Sequence, residues 1–209
     1  METERNRIAQ DIHDDLGAGL TQIGWLGEMS SRLADDPEVV RQQSRKIVAT
    51  AREMVTSLDE IVWAVRPQND SLRSLVEYLG RRVDELFESS AIRVWFTAPT
   101  GLPELMVLAD VRHHFFLICK EILHNALKHS GGTEVRIHLE FREPSTLHIS
   151  IEDNGTGFDP AKAQGAGNGL GNMRERAERV GASLLLCSTP GTGCRVEITI
   201  PLTSTGPIA

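Results

Sequence analysis

Apolar residues return at alternating steps of three and four along the first third of the chain. Ala9, Ile12, Leu16, Gly19, Ile23, Leu26, Ser30 and Leu33 mark one stripe, its Gly and Ser steps small rather than apolar. Ile47, Ala51, Met54, Leu58, Ile61 and Val65 mark a second, with no polar break. Such a rhythm keeps one helix face apolar over many turns, so two long helices with coiled-coil-like seams are predicted. Asp35-Asp36-Pro37-Glu38 separates them as a stop and restart. Asp36 suits a cap, Pro37 the first helical position, and Glu38 the positive end of the helix dipole. Two helices leave apolar surface over, which a homodimer would cover by closing into a four-helix bundle. Packing on the rest of the same chain is the alternative.

Beyond Pro67 the pattern changes. Leu72, Leu75, Val76, Leu79, Val83 and Leu86 predict a helix over 71–89, and Ala109 to His129 a mostly apolar one. Strands are predicted at 92–96, 134–141, 146–153, 183–188 and 194–201, with a further helix at 170–180. Pro190-Gly191-Thr192-Gly193 turns the last two strands into a hairpin, which favours an α+β sandwich over a doubly wound sheet. The expected organisation is a helical hairpin over 1–68, an α/β sandwich domain over 69–203, and a tail over 204–209.

Composition narrows the function classes. A net charge of −7 over 209 residues argues against nucleic acid as the main partner. Cys119, Cys187 and Cys194 have no paired or metal-like spacing, which fits a reducing, cytoplasmic setting. The apolar runs are too short to span a bilayer and no signal-peptide pattern opens the chain, so no membrane contact is expected in this fragment. Its first residues are already charged and helical in character, as in a piece of a longer protein.

Four elements carry chemistry. His13 precedes Asp14 on the first helix; a neutral imidazole can attack phosphorus, and a neighbouring carboxylate can hold its tautomer and take up the proton. Glu121 and Asn125 stand one helical turn apart, an oxygen pair suited to Mg²⁺ shared with substrate phosphates. Lys128 and His129 follow on the next turn, within reach of phosphate oxygens. Asp153-Asn154-Gly155-Thr156-Gly157 ends a strand with a carboxylate able to accept from the amine of adenine, beside glycines that admit a close backbone. Gly165 to Gly171 leads into a helix and forms a phosphate cradle. Each element alone has a bland reading: a solvated acidic face, a turn, a flexible glycine linker.

Together they carry a resemblance. Glu121 to Asn125, Asp153 to Gly157 and Gly167 to Met173 resemble the N box and two glycine boxes of the GHKL-type ATPase fold. Gly169-Leu170-Gly171-Asn172-Met173-Arg174-Glu175-Arg176-Ala177-Glu178, His13-Asp14 and Asp59 to Pro67 resemble the two-component sensor histidine kinases of the nitrate-sensor and lipid-thermosensor subfamily. The resemblance covers nearly the whole chain. It implies a dimerisation and phosphoacceptor domain followed by a catalytic ATP-binding domain, with His13 as phosphoacceptor and Asp14 as its base. It further implies Asn125 and Glu121 at Mg²⁺, Lys128 near the phosphates and Asp153 reading adenine. Gly155 and Gly157 would form the base of a lid, with Gly167, Gly169 and Leu170 at the phosphates. A response-regulator aspartate would receive the phosphoryl group.

Two positions depart from the family pattern. Ala18 stands five residues after His13, where relatives that dephosphorylate their regulator often carry Gln, so weak phosphatase activity is expected. The late Gly-x-Gly-Thr element reads Gly191-Thr192-Gly193-Cys194, putting a weakly hydrogen-bonding thiol near the adenine site. Two alternatives stay open: a GHKL ATPase working by conformational change, and a non-catalytic dimeric docking module.

Overall fold

The computed structural model describes residues 2–33, 35–162 and 169–202; side chains of the first helix are described from Leu16 onward, Ala18 excepted. The chain divides into two compact units, Met1–Arg66 and Pro67–Ala209.

The first unit is a helical hairpin of α1 (Glu2–Arg32) and α2 (Pro37–Val65). The restart signal works as its chemistry predicts: the Asp36 carboxylate accepts from the amides of Glu38 and Val39 at 3.0 and 3.2 Å, and Pro37 opens α2. The helices approach closely at Gly19, where a Cβ would stand 2.7 Å from the Met54 sulfur.

The seam predicted on α2 is divided. Gln43, Thr50, Ile61 and Ala64 are buried, and Ile47 and Met54, half-buried, lie in the same row. Val48, Val55, Leu58, Val62 and Val65 are 39–60% exposed and form, with Ala51, a second heptad row. The predicted stripe therefore ran along the border, taking Ile47, Met54 and Ile61 from the covered row and Ala51, Leu58 and Val65 from the open one. The apolar arc of α2 is wider than one seam.

In the second unit a 3₁₀ turn (Pro67–Asn69) leads to α3 (Leu72–Phe87), whose cap is the Ser71 hydroxyl accepting from the Ser74 amide at 3.1 Å. Then come β1 (Arg93–Thr97), α4 (Ala109–His129), β2 (Glu134–Arg142), β3 (Thr146–Asp153), α5 (Gly169–Arg179), β4 (Ser183–Ser188) and β5 (Cys194–Pro201). The five-stranded sheet has the order β1-β2-β3-β5-β4; β1 runs parallel to β2 and every other pair is antiparallel. Strand alternation sends Val135, Ile137, Leu139, Leu147, Ile149, Ile151, Val196, Ile198 and Ile200 into the core. α4 packs against α3, α5 and β3, and α5 also against β4. Phe115, Ile118 and Cys119 on α4 and Leu75, Leu79 and Val83 on α3 are almost fully buried. The unit is the two-layer α+β arrangement expected from the sequence. Among the described residues, no helix is long and apolar enough to cross a membrane.

Candidate nucleotide-binding site

A cavity of about 460 Å³ opens between α4, α5 and the inner face of the sheet. Its floor is apolar, built from Ile122, Ile151, Met173, Leu186 and Val196, and its polar rim includes Glu121, Asn125, His129, Asp153 and Thr156. An apolar floor with a few placed polar groups is the usual form of a small-molecule site.

Asp153 ends β3 directly opposite Cys194 of β5. Burial pushes its carboxyl above the usual carboxylate range, while the amides of Gly155 and Cys194 pull the other way. The Gly155 amide donates to it at 2.9 Å. Cys194 also lines the cavity, and burial followed by the Asp153 charge pushes its thiol up to about 11.

The glycines allow three chain segments to meet beneath Asp153. A Cβ on Gly155 would collide with the Ser130 carbonyl, which accepts from the Thr156 amide at 2.7 Å. Gly157 has φ +61° and is pressed against the Thr189 carbonyl; Gly193 has φ +81° and is pressed against that of Asp153. Both turn conformations disfavour any side chain. Asn154 tethers the same corner, its carbonyl oxygen accepting from the amides of Thr133 and Glu134 at 2.8 and 2.9 Å and its amide donating to the Thr133 hydroxyl at 3.0 Å. Across the β4–β5 turn, the Ser188 hydroxyl accepts from the Phe158 amide and donates to the Gly193 carbonyl, each at 2.9 Å.

On the other wall, Asn125 donates to Glu121 across one turn of α4 at 3.5 Å. Gly169 begins α5 against Glu121, and any Cβ there would overlap its carboxylate oxygen. The first turn of α5 thus brings amides without intrahelical partners to the cavity. The donor set fits a hard cation held jointly with phosphates: Glu121 and Asn125 offer oxygens on one face. Among the described residues no group of three His, Cys, Asp or Glu side chains forms a complete metal cage.

Of the residues expected at the site, Glu121, Asn125, Asp153, Gly157, Gly169 and Leu170 line one cavity. Gly155 is absent from the lining and packs against Ser130. Lys128 is exposed and absent from the lining, while its neighbour His129 is part of it. Gly167 and the side chains of His13, Asp14 and Ala18 lie outside the described residues. The sequence reading missed Ser130 and Phe158 and gave the floor residues no role, while Thr156 lies within the Asp153 to Gly157 stretch it singled out. Parity could have found two of the five floor residues, since Ile151 and Val196 stand two residues from Asp153 and Cys194 on the same strand faces.

Fold and site together define the nucleotide-binding class to which gyrase- and chaperone-type ATPases belong. Residues 110–204 match the family described as histidine kinase-, DNA gyrase B-, and HSP90-like ATPase, and residues 4–70 match a family described as histidine kinase. The chain belongs to the two-component sensor histidine kinases and constitutes a kinase core of that family. It is 29% identical over 203 residues to the sensor protein VraS of Staphylococcus haemolyticus, covering 97% of this chain and 56% of the relative. Against VraS of Staphylococcus aureus strain COL it is 28% identical over 202 residues, with the same coverage. The chain thus spans just over half the length of the curated relatives it matches. The histidine kinase domain of the Erythrobacter litoralis EL346 blue-light activated kinase shares the fold, with a TM-score of 0.58 at 23% identity, over 88% of this chain and 96% of that one. The Acinetobacter baumannii histidine kinase AdeS gives a TM-score of 0.58 at 13% identity, also over 88% and 96%.

Proposed function

We propose that the chain autophosphorylates His13 from Mg-ATP and passes the phosphoryl group to an aspartate of a response regulator. The observation that carries this reading is the convergence of Glu121, Asn125, Asp153, Gly157 and Gly169 on one apolar-floored cavity, in a chain that also carries His13-Asp14 on a helical hairpin. The floor takes the adenine ring, and Asp153 accepts from its exocyclic amine. The α5 amides at Gly169 and Leu170 receive phosphate oxygens, with Gly167, Lys128 and the mobile base at Gly155 and Gly157 assigned by family resemblance. Glu121 and Asn125 would hold Mg²⁺, which when bound neutralises phosphate charge. An imidazole nitrogen of His13 attacks the γ-phosphorus in line; the P–N bond forms as the bridging P–O bond to ADP breaks, and Asp14 takes up the imidazole proton. Positioning and charge neutralisation supply most of the acceleration in such transfers.

The open row from Val48 to Val65 on α2 supports a homodimer closed as a four-helix bundle, since a single hairpin leaves it wet. Ala18 supports weak phosphatase activity, and the cysteine pattern a cytoplasmic setting. Incubation with γ-labelled ATP and Mg²⁺ tests the reading: acid-labile label on the wild type and none on His13→Gln is expected. Label retained by the variant would overturn the phosphoacceptor assignment. Phosphate release without a phosphoprotein would instead indicate a conformational ATPase, and no Mg-ATP binding a docking module.

A further inference from the structure

Arg112, on the first turn of α4, is 2% exposed and absent from the lining of the nucleotide cavity. An arginine is rarely buried to that degree unless its guanidinium is engaged, because the charge loses its hydration. Here Nη1 donates to the carbonyl of Val107, just ahead of the helix. The Val107 amide in turn donates to the Asp70 carbonyl at 2.6 Å, and the Leu72 amide donates to the Leu105 carbonyl at 2.9 Å. Between these bonds Ser71 and Met106 form an antiparallel bridge, and the Ser71 hydroxyl caps α3. Leu72 and Val107, on either side of the bridge, are almost fully buried. Arg112 thereby clamps the segment that enters the second unit to the helix that carries Glu121 and Asn125. Since α2 ends at Val65, only Arg66 and the 3₁₀ turn Pro67–Asn69 lie between it and the clamped Asp70.

We propose that Arg112 is a positioning residue for phosphoryl transfer: by holding this clamp closed it keeps the joint between the two units short, and so sets the rate at which the γ-phosphoryl group reaches His13. The inference rests on the assignment of His13 as phosphoacceptor. His13 belongs to the first unit and the nucleotide cavity to the second, so the two reacting groups are tethered through this joint. A short tether raises the effective concentration of one group at the other, and in-line attack needs the reacting atoms held in a narrow geometry. Pro67 stiffens the joint further by fixing one backbone angle. Opening the clamp adds Asp70 and Ser71 to the unheld stretch, while the walls of the nucleotide cavity keep their own residues. Loss of Arg112 therefore acts on the transfer step and leaves nucleotide binding alone.

The test compares the whole chain with Arg112→Met in amide exchange, Mg-ATP affinity and single-turnover autophosphorylation. Exchange at the Leu72 and Val107 amides should quicken about tenfold, the scale of one lost hydrogen bond. Mg-ATP affinity should be unchanged, while label should reach His13 about tenfold more slowly. Val107→Pro removes the amide that donates to Asp70 and should behave alike, which keeps the test open if Arg112→Met does not fold. Rescue is tested by adding Ser71→Cys/Met106→Cys to the slowed variant, on a Cys187→Ser background. The bridged pair is of the non-hydrogen-bonded kind, with Cα atoms about 4.5 Å apart and within disulfide reach. The oxidised form should regain the wild-type rate and the reduced form should not. Unchanged exchange, an unchanged rate, a loss of Mg-ATP affinity matching the loss of rate, or no rescue by the cross-link would each overturn the proposal. Absence of label on the wild type would instead remove the kinase reading, and this role with it, with the exchange data still reporting whether Arg112 holds the clamp.

Discussion

Asp153 and Cys194 face each other across the β3–β5 ladder, and both line the large cavity. The pairing places a thiol beside the carboxyl group proposed to recognise adenine. It also supplies the Cys194 amide that partly offsets the burial of that carboxyl group.

Replacing Asp153 by Asn keeps the volume but substitutes an amide for the carboxylate acceptor. Mg-ATP affinity should fall at least about tenfold, the scale of one charge-assisted hydrogen bond, as measured by calorimetry. Unchanged affinity would remove Asp153 from adenine recognition.

Cys194→Thr puts a hydroxyl where the thiol bonds weakly. Nucleotide affinity should rise about fivefold, the worth of one neutral hydrogen bond, in the same titration. A loss of affinity would mean that the cavity needs the sulfur's shape.

Glycines around the cavity should differ sharply. Gly155→Ala drives a methyl into the Ser130 carbonyl and should cost about 1–3 kcal/mol of unfolding free energy in urea. Gly171→Ala meets nothing within 4 Å and should be neutral or stabilising by up to about 1 kcal/mol. Equal effects would sink the packing argument.

Val55→Glu with Val62→Glu places charge on the open row of α2, where the valines are 60% and 43% exposed in the single chain. Light scattering should show a dimer for the wild type and a monomer for the variant. Helical content in the isolated protomer should fall, since a lone hairpin has little core.

His148 is buried on β3, its Nδ1 3.0 Å from the Thr199 hydroxyl. Burial and then Arg142 hold its pKa below 6.5, with Glu197 and Glu140 opposing and Arg195 adding a smaller push downward. The unfolded chain therefore takes up this proton first. The stability loss begins as pH falls through the ordinary histidine value and is complete below the folded one. His148→Gln should flatten the pH dependence of chemical denaturation between pH 7 and 5; an unaltered slope would contradict the assignment.

Much of this architecture is readable in the chain because its signals are local. Asp36-Pro37 fixes the start of α2 through bonds spanning two and three residues, and strict alternation locates β3 and β5. Local periodicity does not say how many neighbours a helix has, so one stripe was read on α2 where two rows exist. The site shows the same divide. Asp153 and Asn125 declare themselves by residue type, whereas Ile122, Leu186 and Met173 look like any core residues until the sheet and helices enclose them. Lys128 and His129 were both legible as neighbours of the motif, but only helix rotation decides that His129, and not Lys128, lines the cavity.

Glu121 lines the large cavity and also a smaller cleft of about 140 Å³ between α4 and α5. A single substitution there alters two spaces at once, so a loss of activity in Glu121→Gln reports on the packing of α4 against α5 as well as on the carboxylate itself.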